Sequence, residues 1–596
     1  MSRIYGVHRF APYFDPLPVL SSSNGPLVYN EDRSVVLAAD AHIDNGAALT
    51  RELLGQGHRI LSPASVDVIV HLYEEYGADC VKRLRGDFAF VLWDSKKRIL
   101  LLARDRLGIK PLYYSLQDGF VVFASSLGQI FSCPGVKKEL CRNILPLYFS
   151  FMALPAPYTF FKGVRKMAPA TILQFDADGR TSETEYWNLL KDAPREDCRR
   201  ECDCVDGLIG ALDGAVHAQS GTGRAAGSFL SGGTDSSLIT ALAAKHNGSL
   251  STFTTGFSGD ERSHEFPFAR KVAGLLATQH HESTISMADL TEGSLRRLLA
   301  LQEEPTLRPG CISYYHLSGA ARQAGADYVF VGEGGDELFG YPLWKKLLSL
   351  KPGLDAFSRC PSFLQRPVME FFHKKDPAGM AYETLRRSRA QQSLFWGSFN
   401  LFYPGDIGAL LAGTHGARDG DVQPYEVIRP LVQDFERSAY RDDYSAFLTH
   451  VDLRVKMPET FLRWFDRMSG AHGLNVRFPY LDHVFVEYVL GRCTGFNQKK
   501  GPVKYLLKKA AERLVPRECI YRKKQGWGMG VTASYFSLFK DFSGVRKTID
   551  GFNQRYGYFN GEYIDRLFLG TAAPRQRAKI WQLYIFVLWL EGWMDL

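Results

Sequence analysis

The stretch GSFLSGGTDSSLITALAAK, from Gly227 to Lys245, constrains the fold more than any other part of the chain. An apolar run closing at Leu230 suits a buried strand, and Leu238, Ile239, Ala241, Leu242 and Ala243 suit a helix packed against it. The Ser-Gly-Gly-Thr-Asp-Ser-Ser between them predicts a strand-to-helix turn. The first N–H groups of such a helix lack intrahelical partners and sit at the positive end of its dipole, so the turn suits an anion. Gly232 and Gly233 leave room for a phosphate, while Ser231, Ser236 and Ser237 add hydroxyl donors. Asp235 would repel a phosphate unless a cation lay between them, which points to Mg²⁺. For this loop alone, a Ser/Gly-capped helix with no ligand is the plainer alternative.

With 596 residues the chain exceeds what one core supports, so two or more domains are expected. Hydrophobic residues at 45% provide for packed cores, and no low-complexity segment argues for disorder. The net charge of +8, spread over a large surface, favours anionic ligands weakly and does not imply nucleic acid. The start of the chain lacks a basic region followed by an apolar core, and no window reaches about 18 uncharged apolar residues, so no membrane partner is expected. Ten cysteines without paired CxxC spacing give no zinc signature. Cys198, Cys202 and Cys204 form a small cluster in a charged stretch. A reducing cytoplasm is the expected location.

Residues 1 to about 190 read as short strands broken by Gly, Asp and Ser turns, with one clear helix at SVDVIVHLYEEYG. This predicts a layered α+β domain with antiparallel sheets. The charged stretch KDAPREDCRRECDC, residues 191–204, loses periodicity and is expected to be a linker, dividing a domain 1–195 from a domain 205–596. Beyond it strand, loop and helix alternate, predicting an α/β domain whose parallel sheet binds ligands at its strand ends. From about residue 345 the reading is helical, closing with IWQLYIFVLWLEGWM, expected to be core or interface.

A second loop, VFVGEGGDELFGY, repeats the logic of the first: an apolar strand, then Gly332, Gly334 and Gly335 among Glu333, Asp336 and Glu337. Such acids at a strand end call for a cation, and Asp235 and Asp336 could share one Mg²⁺ with a nucleotide's phosphates. An ordinary acidic turn is the alternative for this loop taken singly. Together with DRMSGAHGLNVRFPYLDH, IYRKKQGWG and LRGDFAFVLWDSKKRILLLARDRLGIKPLYYS, the two loops resemble the asparagine synthetase family over nearly the whole chain.

The resemblance implies an Ntn-hydrolase-like αββα glutaminase domain followed by a PP-loop synthetase domain with helical additions. It also implies ATP as cosubstrate and a reaction in which a carboxylate is adenylated, pyrophosphate leaves, and an amine attacks to release AMP. By the same resemblance Ser231, Gly232, Gly233, Asp235, Ser236 and Ser237 hold pyrophosphate and metal, Asp336 shares the metal, and Gly332 borders the nucleotide. Glu333 lies near the reacting amine, and Thr255, Gly256 and Phe257 lie where the family holds adenine. Lys524 matches the lysine set against the tetrahedral intermediate, where a preorganised donor is worth about 2.7–4 kcal/mol. An exposed basic turn is the alternative for Lys524, since Arg522 and Lys523 adjoin it.

The first domain departs from the family. Glutamine-dependent members begin, after loss of Met, with cysteine; here Ser2 takes that place, a weaker nucleophile unless a base activates it. The Asn-Gly-Glu that grips glutamine falls on Asp40, Ala41 and His42, and the acidic partner of the glutamine amine falls on Ser65. The reading is therefore an inactive glutaminase scaffold joined to an amide synthase, similar to β-lactam synthetases and lasso-peptide cyclases. Its substrate would be a small-molecule or peptide carboxylate with an amine acceptor from a source other than glutamine. Glu333 is what ammonia-using members carry, which keeps ammonia-dependent amidation of a small acid or sugar carboxylate open. A tRNA-modifying PP-loop enzyme and a silent binding scaffold are the readings from other classes. A homodimer or biosynthetic partner proteins are both compatible with the sequence.

Overall fold

The computed structural model describes residues 4–10, 19–22, 27–60, 66–196, 198, 200–221, 223–258, 265–376, 379–397, 401–413, 421–497, 502–522, 542–571 and 573–594. The first unit is built on two antiparallel sheets. In one the strands run Val19–Ser22, Ile4–Arg9, Phe120–Ala124, Tyr113–Gln117, Val164–Lys166; in the other Thr181–Glu185, Thr171–Phe175, Ile99–Arg104, Gly86–Asp94, Val35–Ile43, Val28–Tyr29. Side chains alternate across each strand, so both faces of the central strands are buried. Val36, Ala38, Ala89, Val91 and Trp93 meet Ile4, Val121 and Phe123 between the sheets. Val35, Leu37, Phe88 and Phe90 join Leu49, Leu53, Ile69 and Leu72 of the helices Gly46–Gly55 and Val68–Tyr76. This is the layered α+β arrangement expected from the strand-rich pattern.

The second unit holds a fully parallel sheet in the order Gln279–Ile285, Leu250–Phe257, Ala226–Phe229, Tyr328–Phe330, Asn475–Arg477. From Ala226–Phe229 the chain first builds outward on one side, then crosses to the other. The topological switch point therefore lies between Ala226–Phe229 and Tyr328–Phe330, where open α/β sheets bind ligands. Among the described residues the elements that follow this sheet, up to Met594, are helices, and none is long and apolar enough to cross a membrane.

The stretch 191–204 is not the free linker its charge density predicts. Leu189–Asp192 is a helical turn, and the helix Glu201–Gln219 begins inside the stretch. Cys204, Val205, Leu208 and Leu212 already stand at helical spacing, an apolar stripe masked by the surrounding charges. The connection is held down as well, Glu196 N donating to Gly491 O at 2.9 Å and Tyr440 Oη to Ala193 O at 3.0 Å. Of the three cysteines, Cys202 is exposed, while Cys204 is buried in contact with Cys198 and lies 3.1 Å from Cys493 Sγ.

The two units are joined by buried charge and by the last helix, Pro574–Met594. Its Phe586 and Trp589 pack against Tyr148 and Phe160 of the first unit, with ring centroids 5.4 and 4.5 Å apart. Lys166 Nζ, fully enclosed, donates to Leu154 O at 2.7 Å, Glu304 Oε2 at 2.9 Å and Glu459 Oε2 at 2.6 Å. Glu303 accepts from the N–H groups of Leu127 and Gly128 at 3.1 and 3.0 Å and pairs with Arg467 at 2.9 Å. A carboxylate from one unit thus caps a helix of the other. Lys166→Met leaves Glu304 and Glu459 buried without their shared cation, so it is expected to cost about 3 kcal/mol or more in urea denaturation. A loss under about 0.5 kcal/mol, the range of ordinary surface changes, would contradict this account of the interface.

Candidate active site

Both glycine-rich loops stand at the carboxyl ends of adjacent strands, one on each side of the switch point. After Ala226–Phe229 the chain turns through Ser231–Gly233 into the helix Thr234–His246. Gly232 has φ +69°, and a Cβ there would lie 2.5 Å from the backbone of Phe268, so this turn admits only glycine. Ser231 and Ser236 share a hydroxyl hydrogen bond of 2.9 Å, and Gly233 N donates to Ser231 Oγ at 3.2 Å. No side chain among the described residues caps the helix at Gly233, which leaves its first turn open to an anion. Ser237 differs from the expectation: it is fully buried, and its hydroxyl points away from any open surface.

The second loop presses directly on the first. A Cβ on Gly332 would come within 2.8 Å of Ser236 N, and one on Gly335 within 2.5 Å of Asp235 Oδ1. The glycines thus bring Asp235 and Asp336 together on one cation, which in this structure is Lys504. Its Nζ lies 2.6 Å from both Asp235 oxygens and 2.7 Å from Asp336 Oδ1. Burial works against the ammonium, but the two carboxylates outweigh it and hold its pKa above the ordinary lysine range. Sequence reasoning missed Lys504, which sits just before the helix Tyr505–Ala511 among several other lysines.

Arg522 closes the other side of the first loop. Its Nη2 donates to Ser231 O at 3.3 Å and to Glu265, and Thr234 Oγ1 donates to Ile520 O at 3.2 Å. Arg522 Nε and Nη1 are buried with no hydrogen-bond partner among the described residues, donors suited to phosphate oxygens. Lys524, two residues on, lies outside the described residues. Thr255, Gly256 and Phe257 end the neighbouring strand in register with Ser283, Thr284 and Ile285. Thr255 Oγ1 donates to Ser283 O at 3.2 Å, and the Phe257 ring is buried.

Glu333 is half-buried beside the paired acids and accepts from Tyr314 Oη at 2.6 Å. Burial pushes its pKa up to about 7; the Tyr314 hydrogen bond lowers it, and Glu337, Asp336 and Asp235 raise it further. A carboxyl poised there can take a proton near neutral pH. Tyr314 was also missed from sequence; it lies on the helix Pro309–Gln323 and packs on Phe465 with centroids 4.1 Å apart. Behind the loop Glu337 pairs with Lys456 at 2.6 Å, on a π-helical turn Asp452–Lys456.

In the first unit Asp40, Ala41 and His42 lie within the paired strand Val35–Ile43. Lys110 Nζ approaches Asp40 Oδ1 at 3.2 Å. Burial, aided by Arg477, Lys110 and Arg224, pushes His42 down to about 2, so its imidazole is neutral. Ser2 and Ser65 lie outside the described residues.

Residues 207–594 match the asparagine synthase family, and residues 17–187 match the glutamine amidotransferase domain. "Asparagine synthetase [glutamine-hydrolyzing] 1" of Bacillus subtilis is 29% identical over 586 residues, covering 97% of this chain and 88% of that protein. A "Putative asparagine synthetase [glutamine-hydrolyzing]" of Mycobacterium bovis is 30% identical over 83% of this chain and 74% of its own length. "Amidase chyE" of Penicillium rubens is 28% identical over 85% of this chain and 79% of its own.

The Glu333–Tyr314 pair generates a pH prediction. If ionised Glu333 accepts the proton, turnover rises with pH on a limb near 7 that Glu333→Gln removes. Because the Tyr314 hydrogen bond favours the carboxylate, Tyr314→Phe raises the pKa and moves the limb upward by about one pH unit. A limb that stays in place in Tyr314→Phe, or survives in Glu333→Gln, would assign it to another group.

Proposed function

Because the chain belongs to the asparagine synthase family, we propose that it activates a substrate carboxylate as the adenylate and captures it with an amine from a source other than glutamine. The family uses ATP, and its members are AMP-forming carbon–nitrogen ligases. The observation that carries the reading is the convergence of Asp235 and Asp336 on one cation beside an uncapped helix start. The donor set fits Mg²⁺: two carboxylates on one point, with hydroxyls and open N–H groups alongside. Asp235 and Asp336 would hold the metal, which when bound neutralises the triphosphate and polarises a phosphoryl oxygen. Ser231, Gly232, Gly233 and Ser236 would take pyrophosphate, helped by the unpaired donors of Arg522 and by the ammonium of Lys504. Thr255, Gly256 and Phe257 would border the adenine.

Within this reading Glu333 takes the proton of the attacking amine, and its bond to Tyr314 aims the carboxylate. Lys524, through its closeness in sequence to Arg522, would face the oxyanion of the tetrahedral intermediate. The division into a domain of residues 1–195 and one of residues 205–596 assigns these roles to the second alone.

The source of the amine is argued from the first unit. By the family resemblance the glutamine grip falls on Asp40, whose carboxylate is held by Lys110, and on the half-buried imidazole of His42. By the same resemblance Ser2 falls where glutamine-dependent members carry cysteine. An amine carried by the substrate then fits best, as in natural-product or peptide cyclisation. One observation favours a second reading: Glu333 stands at the position that ammonia-using relatives fill with the same residue, so free ammonia is the other candidate nucleophile.

The purified protein is expected to release no glutamate from glutamine, and Ser2→Ala to leave amide formation unchanged. Amide formation that requires glutamine and disappears in Ser2→Ala would overturn the proposal. Amide formation driven by ammonium salts alone would select the second reading.

A further inference from the structure

Two histidines and two glutamates of the first unit converge far in sequence from the loops described above. Glu31 lies in the turn after the strand Val28–Tyr29, and His58 follows the helix Gly46–Gly55. His71 and Glu74 stand one turn apart on the helix Val68–Tyr76, where positions i and i+3 share a face. Each residue offers one ligand atom, and these atoms all lie within 4.8 Å of one another.

The separations have the scale of a tetrahedral shell. His71 Nδ1 is 3.1 Å from Glu74 Oε2 and 3.6 Å from Glu31 Oε2; His58 Nδ1 is 3.6 Å from Glu74 Oε2 and 3.9 Å from Glu31 Oε1. Zinc bonds of about 2.0–2.2 Å to nitrogen and oxygen place tetrahedral ligand atoms about 3.3–3.6 Å apart. The outer contacts fit as well. His58 turns Nε2 to Glu75 Oε1 at 2.9 Å, the second hydrogen bond that fixes the tautomer of a ligating imidazole. Asn30 Nδ2 donates to Glu74 Oε1 at 2.7 Å, and Arg59 N to Glu31 Oε1 at 3.0 Å, so both carboxylates are oriented.

We infer that Glu31, His58, His71 and Glu74 form a structural zinc site. Two imidazoles and two carboxylates suit Zn²⁺ in a closed four-ligand shell. The buried His71 and the half-exposed Glu31 give the ion a floor and a route from solvent. Bound there, it pins the turn at residue 31 and the segment after the first helix to the second helix. The site is independent of the proposed reaction.

The test is titration of the full-length, chelator-treated protein with ZnCl₂ against a chromophoric competitor. One equivalent is expected to bind, equally in an Asp235→Asn/Asp336→Asn variant, which removes the acids of the other cation site. Glu75→Ala is expected to weaken binding by about 10-fold through the lost outer hydrogen bond. Glu31→Gln, at an exposed position, and His58→Gln, at a half-buried one, are expected to weaken it by more than about 100-fold. Zinc should raise the melting temperature of the wild type but not of His58→Gln, and Co²⁺ should give the visible bands of a tetrahedral site. Absence of binding, or binding that persists in His58→Gln and Glu31→Gln, would reduce the cluster to ion pairs and overturn the inference.

Discussion

Two carboxylates brought to one point by glycine-lined loops set the terms for the rest of the synthetase unit. Like charges at about 4 Å repel by about 4 kcal/mol at an effective dielectric constant of about 20, so Asp235 and Asp336 need a cation between them. Lys504 supplies it in this structure, reaching both acids with one ammonium. The arrangement also dictates sheet order, since the strands Ala226–Phe229 and Tyr328–Phe330 must be neighbours for their loops to meet. It dictates small residues too, because a side chain on Gly332 or Gly335 would occupy the space where the loops touch. Under the proposed reading, a divalent ion held by Asp235 and Asp336 would take over this neutralisation, leaving the Lys504 ammonium to pair with phosphate.

The first unit is tied into this assembly. Glu303 caps a helix across the boundary, Lys166 sits between Glu304 and Glu459, and the last helix of the chain packs its aromatic rings on Tyr148 and Phe160. Removing Lys166 takes from Glu459 its buried cation and leaves Glu304 with Arg463 alone, at 3.5 Å, and breaking such a buried pair is costly. If the first unit is the inactive scaffold proposed above, these contacts would give it a structural role.

The two loops were legible because their signals are local: glycines, hydroxyls and acids between an apolar strand and an apolar helix. The strands Val35–Ile43 and Gly86–Asp94 were legible for a similar reason, as apolar runs bounded by turn residues, and most of their residues are buried. Lys504 was not, because it meets Asp235 across 269 positions and is one of five lysines between residues 499 and 509. Tyr314 was hidden in a helix whose aromatic residues read as core, and only the fold turns its hydroxyl to Glu333. Ser237 misled in the opposite direction, since its place in the motif suggested a ligand while the helix turns it inward. The helix beginning at Glu201 was lost among charges that flank its apolar stripe.

The central claim is that the contact of the two loops creates one site for a metal-bound triphosphate. Calorimetric titration of ATP in the presence and absence of Mg²⁺, on the wild type and on Gly335→Ala, tests it without knowledge of the substrate. The wild type should bind ATP in a Mg²⁺-dependent way. The added methyl, placed 2.5 Å from Asp235 Oδ1, should weaken that binding by at least about 10-fold, or about 1.4 kcal/mol, with the folded structure kept. Equal affinity in Gly335→Ala, or binding indifferent to Mg²⁺, would contradict the account.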